Sequence, residues 1–125
     1  MPDIRDYKDL IVWQKSRLLV KEVYTLIRQL PREEQYALTS QIQRAAVSIP
    51  SNIAEGYRRN YRTEYIRFLN IARGSCYELE TQLILCLDLG YCSERQTESS
   101  ISLLHEIERL LITLIKNLKQ RNESE

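Results

Sequence analysis

Four stretches of this chain carry apolar residues at steps of three and four, and only a few residues separate each stretch from the next. That pattern is the strongest constraint on the fold. A period near 3.6 lays an apolar stripe along a helix, and short links between long helices make consecutive helices antiparallel neighbours. No segment alternates with the period of two that a strand requires. With 3 Gly and 3 Pro, the chain also has too few turn formers for a sandwich or barrel. The expected fold is all-α, an up-down-up-down antiparallel four-helix bundle. Its helices fall near residues 9–29, 37–59, 63–89 and 93–120 of a single domain, 1–125. Each is about 30–40 Å long.

The stripes are explicit. Val12, Leu19, Val23, Leu26 and Leu30 line helix one, with Trp13, Val20, Tyr24 and Ile27 beside them, and Pro31 stops it. Leu38, Ile42, Ala45, Ala46, Ile49 and Ile53 line helix two. Tyr65, Phe68, Leu69, Ala72, Leu79, Leu83, Cys86 and Leu87 line helix three, with Thr63 as its N-cap and Gly90 just past its end. Helix four opens with a capping box from Ser93 to Gln96. Ile101, Leu104, Leu111, Ile115 and Leu118 form its seam, widened by Leu103, Ile107, Leu110 and Leu114. Helices one and four are apolar over more surface than one bundle uses, which points to self-association. The tail, 120–125, is polar and expected to fray.

Two residues break helix rules. Pro50 removes an amide donor and frees the carbonyl of Ala46, at a cost of about 3 kcal/mol in an ordinary helix interior. Either the helix ends near Ile49 and restarts, or one helix kinks at Pro50. The stripe stays in phase through Ile53, which favours the kink, with the Ser48 and Ser51 hydroxyls near the freed groups. Gly74 costs about 1 kcal/mol relative to Ala within helix three, and close helix-helix packing is the favoured explanation over a ligand contact.

Charge and cysteines narrow the function classes. Lys plus Arg is 18 and Asp plus Glu is 17, so the chain is no polycation that binds nucleic acid by bulk charge. The first residues are charged where a signal peptide is apolar, and no run reaches the ~18 apolar residues of a membrane span. Cys76, Cys86 and Cys92 contain no C-x-x-C pair, and Cys76 and Cys86 would lie about 15 Å apart on one helix, too far for a disulfide. Three reduced thiols in a cytoplasmic protein are expected. His105 is the sole histidine, with no His/Cys cluster at ligand spacing. It reads as a surface or interface side chain, and no metal or cofactor is expected.

A polar stripe crosses helices two and three. Arg44, Ser48, Asn52 and Glu55 share one face, as do Ser75, Glu78 and Gln82. Facing each other, these groups would satisfy one another as a polar network. The alternative, a catalytic carboxylate pair of Glu55 and Glu78, lacks a nucleophile, a histidine or a phosphate loop, so no enzyme is expected.

These residues also carry a family resemblance. The opening Tyr7-Lys8-Asp9-Leu10-Ile11-Val12-Trp13-Gln14-Lys15 is one part. Leu38-Thr39-Ser40-Gln41-Ile42 and then the run from Arg44 through Ala45-Ala46-Val47-Ser48-Ile49-Pro50-Ser51-Asn52-Ile53-Ala54-Glu55-Gly56 are its centre. Phe68-Leu69, Ile71-Ala72, Gly74-Ser75 and Glu78-Leu79-Glu80-Thr81-Gln82-Leu83 complete it. The chain resembles, over about residues 7–91, the bacterial four-helix bundle proteins encoded within intervening sequences of 23S ribosomal RNA genes. The resemblance implies a homopentamer around a central axis, with no established molecular activity. A related branch, the accessory variability proteins of diversity-generating retroelements, implies by analogy a scaffold that works with nucleic acid and a reverse transcriptase. Ala37, Gln43, Cys76 and Cys92 stand where the family has Gly, a basic residue, Leu and Leu. Gln43 matters most, because it removes a positive charge.

One window carries a binding hypothesis. Residues 56–73 hold Arg58, Arg59, Arg62, Arg67 and Arg73 against the single acid Glu64, with Tyr57, Tyr61 and Tyr65 between them. Arginine neutralises phosphate and tyrosine stacks on bases, so RNA or DNA is the candidate partner. The competing reading is a solvated polar turn, with Tyr65 and Phe68 in the core. In the expected topology Lys116, Lys119 and Arg121 approach Arg58, Arg59 and Arg62, while Asp3, Asp6, Asp9, Glu123 and Glu125 blunt the charge. The opposite end collects Glu33, Glu34, Asp88, Glu94 and Glu98 against Arg28, Arg32 and Arg95. A ring of copies would repeat the basic end around an axis. The reading is a non-enzymatic homo-oligomeric scaffold; a purely structural or protein-interaction module is its rival.

Overall fold

Local hydrogen bonding decides where each helix starts and stops. The computed structural model describes residues 3–124, with side chains through Arg121. Its helices are α1 (Ile11–Leu26), α2 (Leu38–Tyr57), α3 (Arg62–Asp88) and α4 (Glu94–Ser124), and no strand occurs among the described residues. α1 starts later than expected because the Asp9 carboxylate accepts the N–H groups of Arg5 (2.9 Å) and Asp6 (3.1 Å). That closes a separate 3-10 turn, Tyr7–Asp9, before extended Leu10. Leu30 is extended ahead of Pro31, as the ring demands.

α2 runs unbroken through Pro50, so the reading in which the helix ends and restarts is excluded. Ser48 does not serve the freed carbonyl: its hydroxyl lies 2.7 Å from that of Ser75 on α3. Thr63 is not the N-cap of α3. Tyr61 holds that position in extended backbone, and its carbonyl accepts the N–H groups of Glu64 and Tyr65. The far end matches expectation. Gly90 has φ +76, and Gly90 and Tyr91 donate to the carbonyls of Leu87 (3.1 Å) and Cys86 (2.9 Å), a Schellman closure that favours glycine. Ser93 and Gln96 form the reciprocal capping box of α4. α4 stays helical through Ser124, where fraying was expected; Glu125 lies outside the described residues.

Each helix packs on the next, and α4 closes on α1. Side chains fix the direction of two pairings. Arg44 meets Glu78 and Ser48 meets Ser75 between α2 and α3, and Lys15 and Glu22 meet Glu106 and Ser99 between α1 and α4. Partner numbers fall as residue numbers rise, so these neighbours are antiparallel, and the short links make α1–α2 and α3–α4 antiparallel as well. Leu19, Ile49, Ile53, Leu69, Leu79, Leu83, Leu104 and Leu111 are wholly buried between them. All three cysteines are buried. Burial first of all pushes the Cys76 and Cys86 thiols up to about 12 and about 11.

The two helical glycines have opposite surroundings. A Cβ on Gly56 would sit 2.7 Å from the Cβ of Phe68 and 3.2 Å from the carbonyl oxygen of Tyr65, so this is where α2 and α3 approach closely. Gly74 has nothing within 4 Å of that position, so the expected close packing at Gly74 is absent among the described residues. It sits instead on an outward face of α3 with Ile71, Tyr77, Ile84 and Leu85, each 40–47% exposed. The exposed apolar surface is therefore broader on α3 than on α4, where Ile112 alone among the described large apolar residues is exposed. α1 exposes Ile11, Leu18 and Tyr24.

Candidate nucleic-acid interface

The turn from α2 to α3 gathers the arginines, and each has a near neighbour of complementary chemistry. Arg58 lies 3.0 Å from Asp6 and 5.6 Å above the Tyr7 ring. Arg59 pairs with Glu55 at 2.7 Å, and Arg67 with Glu64 at 2.8 Å. Both guanidiniums also stack on Phe68, at 4.9 and 4.5 Å. The hydrogen bond from Arg67 holds the Glu64 carboxyl below its ordinary range. Arg62 belongs to the same turn and is also engaged. These pairs are solvent-exposed and screened by water, so each is weak and a phosphate can displace it.

The three tyrosines separate. Tyr57 and Tyr65 meet edge to face at 6.0 Å, and burial raises the Tyr65 hydroxyl to about 12. They belong to the rim of the core, as does buried Phe68. Tyr61 is 72% exposed at the tip of the turn and keeps a free face for stacking.

Arg73 stands apart from this cluster. It donates to Asn70 (3.3 Å) and Tyr77 (3.4 Å), while its Nε is buried without a partner among the described residues. Lys116 and Lys119 line a shallow groove with Arg73. Arg121 is the α4 cation whose charge reaches Tyr65. Glu123 and Glu125, expected to oppose these cations, have side chains outside the described residues.

The polar stripes of α2 and α3 do face each other. Arg44 donates to Glu78 (2.6 Å) and Gln41 (2.7 Å), and Asn52 donates to the Ser48 hydroxyl (2.9 Å) and carbonyl (2.7 Å). The Ser48–Ser75 bond joins the two helices at the centre. Glu55 lies outside this network, paired with Arg59, and the buried Gln82 amide oxygen has no partner among the described residues. Glu55 and Glu78 are thus each committed to a different arginine. With Arg44 opposite Glu78, eleven residues of α2, about 16 Å, separate them along the helix. That spacing is wrong for two carboxylates acting on one bond.

A second cluster lies between α3 and α4, and the sequence reading missed it. His105 Nε2 is 2.9 Å from Glu80 Oε2, and Glu108 brings a carboxylate oxygen so that all three ligand atoms lie within 4.8 Å of one another. The legible signal was His-x-x-Glu, which stacks His105 and Glu108 on one face of α4. Glu80 arrives only through packing. Glu108 is 9% exposed, and burial, then the Glu80 charge, raises its carboxyl above the usual range. Its folded form holds a proton more tightly than the unfolded chain, so stability falls as pH rises from the ordinary carboxylate value through the raised one. Glu108→Gln should therefore raise the thermal midpoint at pH 7. Equal midpoints at pH 7 would mean the carboxylate is not strained by burial.

The family model described as 23S rRNA-intervening sequence protein matches residues 8–113. A solved structure from Bacteroides thetaiotaomicron VPI-5482, described as a protein with unknown function from the S23 ribosomal protein family, superposes with a TM-score of 0.78. It is 33% identical, and the match covers 85% of this chain and 99% of that one. No curated protein matches. No helix among the described residues is long and apolar enough to cross a membrane.

Proposed function

Because this chain belongs to the 23S rRNA-intervening sequence protein family, we propose that it is a non-enzymatic, cytoplasmic homo-oligomeric scaffold that binds RNA or DNA at the α2–α3 end of its bundle. The observation that carries this reading is the exposed Tyr61, set between Arg58, Arg59 and Arg62 on one tight turn. A stacking face flanked by displaceable guanidiniums suits a nucleic-acid strand. Arg67 lies in the second turn of α3, and Arg73 with Lys116 and Lys119 extends the basic surface along the bundle.

Assembly as a pentamer would repeat that weak site around an axis. Its support is the outward apolar face of α3, where Ile71, Tyr77, Ile84 and Leu85 surround an unobstructed Gly74. A second copy of this chain is the partner that face fits, since glycine there admits another helix closely. Sedimentation should give a mass five times 14.8 kDa. Gly74→Leu should reduce it to that of one chain with helicity by circular dichroism intact. A single-chain mass for the parent protein at micromolar concentration sinks the assembly.

Fluorescence anisotropy against labelled single-stranded RNA and duplex DNA tests the binding. Affinity should fall steeply as salt rises. The acid partners of Arg58, Arg59 and Arg67 favour the rival reading, a protein-interaction module. No binding of either nucleic acid at 20 mM salt, roughly the regime of least screening, selects that rival.

A further inference from the structure

We propose that Glu80, His105 and Glu108 form a binding site for a divalent transition-metal cation of the zinc class at the α3–α4 interface. Metal sites in helical bundles arise from side chains on facing helices, and this one takes a His-x-x-Glu pair from α4 and a carboxylate from α3. The three ligand atoms already lie within 4.8 Å of one another, with His105 and Glu80 at 2.9 Å. Around a shared tetrahedral ion they would sit about 3.4 Å apart, with ion–ligand bonds of about 2.0–2.2 Å, so small side-chain movements close the set.

Glu108 is the second, independent pointer. It is 9% exposed and makes no hydrogen bond or ion pair among the described residues, yet its carboxylate is aimed at the Glu80–His105 pair. Its oxygens keep some solvent contact, but a carboxylate held this close to a second carboxylate is repelled unless a cation joins them. Arg73 and Arg109 act on Glu108 only through their charge at a distance, and neither bonds to it. Imidazole in the set favours zinc-class ions over magnesium or calcium, which prefer all-oxygen shells.

The site is also reachable. Glu80 and His105 end a groove of about 770 Å³ between α3 and α4, flanked by Ile84, Ile101 and Ser102. Three protein ligands leave a coordination position open to that groove.

The experiment is calorimetric titration of the chelator-treated full chain with Zn²⁺ alone, paired with Co²⁺ absorption to report coordination. One ion per chain should bind with micromolar affinity and raise the thermal midpoint. Glu108→Gln and His105→Asn should each weaken binding at least ten-fold and remove the Zn²⁺-dependent midpoint shift. His105 is exposed, so its variant folds whatever the fate of the other. Absence of Zn²⁺ binding by the parent chain overturns the proposal. Undiminished binding by both variants overturns it too, because the ion then sits elsewhere.

Discussion

Replacing Arg58, Arg59 and Arg62 together with alanine should weaken nucleic-acid binding by roughly 100-fold. Three charge-assisted phosphate contacts at about 1 kcal/mol net each amount to about 3 kcal/mol. The plot of log affinity against log salt should flatten by about 2.7 for a duplex, because each lost phosphate contact removes about 0.9 from the slope. Competing ion pairs modulate this. Arg59 is held by Glu55 at 2.7 Å and Arg58 by Asp6 at 3.0 Å. Glu55→Gln should therefore strengthen binding by releasing Arg59. Tyr61→Ala should weaken single-strand binding by about 1–3 kcal/mol while sparing duplex affinity, since stacking needs an unpaired base. Unaltered affinity in the triple variant places the nucleic acid elsewhere on the bundle.

Gly56→Val should be the most damaging single change to the fold, costing about 3 kcal/mol or more. Even one carbon at this position comes within 2.7 Å of the Phe68 Cβ and 3.2 Å of the Tyr65 carbonyl oxygen. Neither is the movable tip of a side chain, so α2 and α3 must separate. Separation would loosen the Ser48–Ser75 bond and the Arg44–Glu78 pair further along the same interface. The gain of a better helix former than glycine, about 0.5–1 kcal/mol, is too small to offset it. For a chain of this size the midpoint should drop by about 10 °C. Denaturation monitored by circular dichroism decides it, and a midpoint within 2 °C of the parent, roughly an effect of under 1 kcal/mol, would show that the helices do not touch there.

The legible part of the fold was local. Ile42, Ile49 and Ile53 announced a buried face, and Gly90 and Ser93 announced a helix end and a helix start. Errors came where the chain chose between equivalent local solutions. Asp9 looked like the start of α1 but closes its own turn, and Tyr61 rather than Thr63 leads into α3 because a backbone carbonyl supplies the first bonds. Arg44, Ser48, Asn52, Ser75 and Glu78 were legible as two stripes, and where the stripes face each other they form the Arg44–Glu78 pair and a separate Asn52–Ser48–Ser75 cluster. The glycines were not separable by sequence: identical in propensity, one lies against Phe68 and the other faces open space. Tyr65 was legible as a core residue from its place on the α3 stripe, which left Tyr61 as the exposed ring.

By itself the order of side chains determined four antiparallel helices and their inward faces, because a 3.6-residue period and a short link act over a few residues. Only the tertiary structure decided that Glu80 meets His105 and Glu108, that Arg73 joins Lys116 and Lys119, and that α3 turns an apolar face outward. Those outcomes depend on how each helix is rotated and slid against its neighbours, which side chains distant in sequence settle jointly through packing.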